Sequence, residues 1–188
     1  YKLMSVDTTG WDTSAVTTMR DMFFGCSKLT TVDVSNFDTS AVTFMRGMFQ
    51  SCTALTSLDV SNFDTSAVTT MDMMFSGCSS LTSLDVSNFD TSEVTTMEQM
   101  FNGCSSLRYI TLGAGFFGTS YAIPFNVCPN LGLNADGSDN GWLAHVAEVA
   151  PTLEEGTTKT IALHNNLKNK SWAATYRTQL QNKGYTIA

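Results

Sequence analysis

Apolar and polar positions along the first 112 residues follow a pattern that repeats every 26 residues. In the turn from Cys52 to Cys78, Leu55, Leu58 and Val60 precede Phe63. The alternation of Leu58 and Val60 predicts a short strand with those side chains inward and Ser57, Asp59 and Ser61 outward. Asp64-Thr65-Ser66, rich in turn and cap formers, marks a corner. Beyond it, Val68, Met71, Met74, Phe75 and Cys78 are spaced by 3, 3, 1 and 3, which predicts one face of a short helical segment stopping near Gly77.

The same letters return in each copy, as Leu29/Leu55/Leu81/Leu107, Val32/Leu58/Leu84/Ile110, Trp11/Phe37/Phe63/Phe89 and Cys26/Cys52/Cys78/Cys104. A period of this length marks stacked units, because one copy cannot bury its own apolar face. The expected fold class is therefore α/β: a solenoid in which each turn contributes a short parallel strand and a helical segment. Five strands are expected, beginning with a partial copy around Leu3 and Val6. Tyr1 falls in mid-repeat, so the chain reads as processed or trimmed.

Cys52-x-x-Leu55-x-x-Leu58-x-Val60 has the form of a leucine-rich-repeat core. The whole block SLTSLDVSNFDTSEVTTMEQMFNGC resembles the BspA-like leucine-rich-repeat surface proteins of host-associated bacteria. The resemblance covers residues 1–112. It implies a leucine-rich-repeat solenoid exported to the cell surface and acting in adhesion, with no cofactor and no catalytic residue.

After residue 112 the pattern decays, although Cys128 and Leu131 keep their separation. Trp142, Leu143, Val146 and Val149 predict one helix face ended by Pro151. Residues 158–164 alternate as a strand, residues 172–183 predict a helix between Ser171 and Gly184, and Tyr185–Ala188 a last strand. A stack must cover its exposed end. Residues 113–188 are accordingly expected to be a degenerate repeat and an irregular α/β cap, in one domain with the array of residues 1–112.

Charge narrows the partners. Residues 1–112 hold 12 Asp/Glu against 5 Lys/Arg, a net −7, whereas residues 113–188 hold 5 of each. An acidic array disfavours nucleic acid and anionic membranes, which are bound through Lys and Arg. No apolar run approaches the roughly 20 residues of a bilayer-spanning helix, so no membrane insertion of this segment is expected. A cationic partner or a neutral glycan is compatible with this charge, and the resemblance implies a host extracellular protein or a glycan as partner and an extracellular location at the bacterial surface.

The 5 cysteines lack the close pairing of a zinc site or an irregular disulfide framework, and read as buried thiols. His145 and His164 fall on different predicted elements, and no phosphate loop or nucleophile elbow occurs. The chain is expected to have no enzymatic activity, no cofactor and no metal. Asp12, Asp38, Asp64 and Asp90 read as corner caps. The column Asp7, Asp33, Asp59 and Asp85 is different, because like charges at strand spacing repel and so invite a functional role. With Ser57, Ser83, Tyr109 and Thr111 it forms the candidate ligand-binding strand face. Two functions follow: a surface binding protein that uses this face, or a spacer that displays another domain.

Overall fold

The computed structural model describes residues 3–118, 123–125, 128–155, 157 and 159–188. Tyr1, read as the mid-repeat start, and Thr158, read inside a strand, lie outside the described residues.

Within the array, residues 26 apart lie side by side. Thr18, Phe44, Thr70 and Thr96 form a row of parallel bridges. Phe23, Phe49, Phe75 and Phe101 stack ring on ring at 5.4, 5.9 and 5.8 Å between centroids. Each turn sends its Leu, Val, Met, Phe and Cys columns inward, and those of the middle turns are almost wholly buried. The five cysteines are free and buried. The Cys52, Cys78 and Cys104 thiols each donate to the carbonyl of a phenylalanine in the preceding turn, at 3.1–3.2 Å. Burial raises the thiol pKa throughout, to about 12 at Cys52 and Cys104.

The helical segment expected in each turn is not a helix. From Met19 to Cys26, every second amide closes a tight local turn, as in Met22 N–H to Met19 C=O and Phe24 N–H to Asp21 C=O. The intervening amides leave the turn altogether: Met19, Asp21, Phe23 and Gly25 donate to Phe44, Arg46, Met48 and Gln50 at 2.8–2.9 Å. Left-handed backbone is required twice per turn, at Asp21/Gly47/Met73/Gln99 and at Gly25/Ser51/Gly77/Gly103. A residue with positive φ at every fourth position cannot continue an α-helix. Burial spaced by three suits tandem turns as well as a helix, and bonds to the next turn are invisible in a local pattern.

The expected strand forms in only two turns. β1 (Ser83–Val86) pairs in parallel with β2 (Tyr109–Leu112), Ser83 opposite Tyr109 and Asp85 opposite Thr111. Residues 31–34 and 57–60 keep the in-out alternation, Leu58 less deeply than the rest. Among the described residues, the one backbone bond where they approach is Thr56 N–H to Thr30 C=O, a carbonyl that the Thr56 hydroxyl also reaches. The two strands that close are those nearest the C-terminal unit, which grips β2 from its far side. Where water reaches the backbone from outside, it can satisfy the same groups, and little favours closure.

That grip is built from side chains. α1 (Trp142–Val149) lies against β2, where the Trp142 indole donates to Ile110 C=O at 3.0 Å. His145 Nε2 accepts from Leu112 N–H at 2.9 Å. Asn140 Nδ2 and the Gly132 amide both reach Arg108 C=O. The groups that a further strand would supply thus come from a loop and a helix. Beyond lies a parallel three-stranded sheet of β3 (Ile123–Phe125), β4 (Lys159–Leu163) and β5 (Tyr185–Ile187), in the order β3-β4-β5. α2 (Asn165–Lys168), a 3-10 turn at Ser171–Ala173 and α3 (Ala174–Asn182) complete the unit. The Ser171 hydroxyl does not cap α3, which follows directly from the 3-10 turn. Lys183 Nζ instead binds the carbonyls of Ala147, Glu148 and Ala150 at the end of α1, where a cation suits the helix dipole.

Candidate functional site

The two aspartate columns do the same local work. Asp7, Asp33, Asp59 and Asp85 each accept, at Oδ1, the amide two residues on: Thr9, Ser35, Ser61 and Ser87, all at 2.9 Å. Asp12, Asp38, Asp64 and Asp90 accept the amides of Ser14, Ser40, Ser66 and Ser92 at 2.9–3.0 Å. Both are Asx turns, which set the direction of the chain as it leaves the strand side and again as it enters the next side.

This geometry alters the argument from repulsion. The Thr9 and Ser35 hydroxyls and amides hold the Asp7 and Asp33 carboxyls below their ordinary range. At Asp59 the Ser61 amide does so first, and its hydroxyl second. The neighbouring charge of Asp33 pushes Asp59 the other way, but it is the weakest influence there. A stack of carboxylates therefore persists because each closes a turn, and repulsion by itself does not call for a ligand.

The predicted site residues are only partly brought together. Asp33, Ser57 and Asp59 line an open groove of about 420 Å³ with Thr31, Val32 and Leu58, where the two stretches fail to pair. Asp33 also borders a second hollow of about 250 Å³ with Thr8, Thr9, Gly10, Ser35 and Asn36. Ser83 and Asp85 on β1 face Tyr109 and Thr111 across a closed ladder. Tyr109 is engaged by the C-terminal unit, its ring 5.8 Å from that of His145. Asp7 lines neither hollow.

The threonines and asparagines of the repeat carry more of the architecture than the pattern of apolar residues suggested. Thr13, Thr39 and Thr65 are buried. Thr39 Oγ1 donates to Asp64 C=O and accepts from Asp64 N–H, and Thr65 does the same to Asp90. Each hydroxyl thus holds both backbone groups of the next corner. Asn62 Nδ2 donates to Val34 C=O and Phe37 C=O, and Asn88 Nδ2 to Val60 C=O and Phe63 C=O. The sequence carries this signal as Asn36, Asn62 and Asn88 at one fixed place in three of the four copies, with Gly10 in the first, but Asn in a polar corner needs no partner and so does not announce one.

Among the described residues, no three His, Cys, Asp or Glu side chains gather as metal ligands. Asp136 and Asp139, in the loop before α1, spend an oxygen each on the amides of Ser138 and Gly141. No described helix is long and apolar enough to cross a membrane.

Neither a curated protein nor a solved structure matches the chain. One family model does, over residues 2–111, which is more than half of the sequence and takes in the array up to β2. The chain belongs to that family, described as Mycoplasma protein of unknown function, DUF285.

Proposed function

We propose that the array is a leucine-rich-repeat solenoid of the BspA-like kind, displayed outside the cell, that binds an extracellular protein or glycan. The ligand would lie along the strand side, over the groove between Asp33 and Asp59. One observation carries this reading: the backbone from Thr31 to Asp33 and from Ser57 to Asp59 stays unzipped beneath two exposed carboxylates. Each carboxylate has committed Oδ1 to its Asx turn, which leaves Oδ2 to meet a ligand hydroxyl or cation. We assign the chain no catalytic step and no cofactor.

A second reading, a spacer that displays another domain, draws on the same Asx turns, since they give every aspartate a structural reason to be present. A panel of glycans and matrix proteins, probed with the wild type and the Asp33→Asn/Asp59→Asn/Asp85→Asn variant, separates the two. Asn keeps an oxygen for the turn and puts an uncharged NH2 donor in place of Oδ2. Binding by the wild type that falls at least about tenfold in the variant, with an unchanged melting curve, is expected. Equal binding by both would place the ligand elsewhere, and no binding across the panel would leave the spacer.

A further inference from the structure

The side of the turn that replaces the expected helix displays a second ordered surface, separate from the strand side. Its row of parallel bridges is Thr18, Phe44, Thr70 and Thr96. Two residues on, the outward position is Arg20, Arg46, Asp72 and Glu98. Met19, Met45, Met71 and Met97 between them are buried, so both rows face the same way, as alternate residues of an extended segment must.

Three features of this ribbon belong together. Phe44 is 48% exposed, at a place where the other three turns carry Thr. The charges along the stack run plus, plus, minus, minus. Among the described residues, the Arg46 guanidinium makes no hydrogen bond or ion pair, whereas that of Arg20 bonds only the adjacent, exposed Asp21 at 3.2 Å. Asp72, by contrast, is held rigidly. Its Oδ1 accepts from Thr96 Oγ1 at 2.6 Å and from Glu98 N–H at 2.8 Å, and its Oδ2 from Thr70 Oγ1 at 3.2 Å.

We propose that this ribbon is the interface of an antiparallel, twofold-symmetric homodimer. A sequence of two cations and two anions at even spacing is complementary to itself when reversed, and a twofold axis reverses it. With the axis between the second and third turns, Arg46 meets Asp72 of the second copy, and Arg20 meets Glu98. Phe44 then lies against Thr70 of the second copy, near the centre, where an aromatic is shielded from water by its charged surround. A parallel face-to-face pair would set Arg on Arg and Asp on Asp. The fixed Asp72 carboxylate loses little freedom on binding, which favours it as the anchor.

Sedimentation velocity over about 1 μM to about 1 mM, at low and high salt, tests this. A dimer that weakens with salt is expected. Phe44→Thr restores the residue of the other three turns, and Arg46→Glu reverses the central charge; each should raise the dissociation constant at least about tenfold. Arg46→Lys should retain most of the association, and circular dichroism should show all three variants folded. A monomer throughout the range, an assembly larger than a dimer, or a dimer that tolerates both Phe44→Thr and Arg46→Glu would overturn the proposal.

Discussion

The two long sides of each turn divide the labour unevenly. On the Thr-Met-Phe side, every second amide crosses to the next turn, and the stacked phenylalanines follow the same rows. On the Leu-Val side, apolar residues still point inward, but the crossing bonds are few until β1 and β2. The side that resembles a helix in sequence thus holds the stack together, and the side that resembles a strand is its looser edge. Stacking does not require a continuous sheet. It requires that enough backbone groups in each turn find a partner in the next, on whichever side the chain is best fixed.

Two substitutions test that division. The largest effect is expected from Phe75→Ala, which removes a fully buried ring from the middle of the stack and should cost about 3–5 kcal/mol in chemical denaturation. Leu58→Ala on the loose side, where the side chain is half-buried, should cost about 1 kcal/mol. Similar losses at the two sites would refute the asymmetry.

The corner joins the two sides, and Thr65→Val probes it without changing shape. Valine leaves both Asp90 C=O and Asp90 N–H without the hydroxyl that now binds them at 2.9 and 2.8 Å. A loss of about 2 kcal/mol in the same assay is expected. A loss near zero would mean that water replaces the hydroxyl at once.

A fourth substitution is diagnostic in its sign. Gln99 has a φ of 55°, so Gln99→Gly should stabilise the protein by about 1 kcal/mol. In a helix the same change would destabilise by about as much. A lowered melting temperature would restore the helical segment.

The aspartates show how far a sequence argument reaches. Asp12, Asp38, Asp64 and Asp90 were legible as corner residues because Thr-Ser follows them. Asp7, Asp33, Asp59 and Asp85 stand apart in the sequence because, on an exposed strand face, like charges at strand spacing repel and so invite a functional role. Their bonds to Thr9, Ser35, Ser61 and Ser87 show the corner already beginning there. The groove at Asp33 and Asp59 was not legible at all. It exists because two neighbouring stretches fail to pair, and each of them has the sequence of a strand that could.

By itself the sequence determined which residues share a column and which columns are buried, since near-identical copies at a fixed spacing must superpose when they stack. Only the tertiary structure decided the path of the backbone within each turn and the direction of its free amides. A period of three in burial is satisfied by a helix and by tandem turns alike. The choice between them rests on hydrogen bonds to residues about 25 places away, which no local pattern contains.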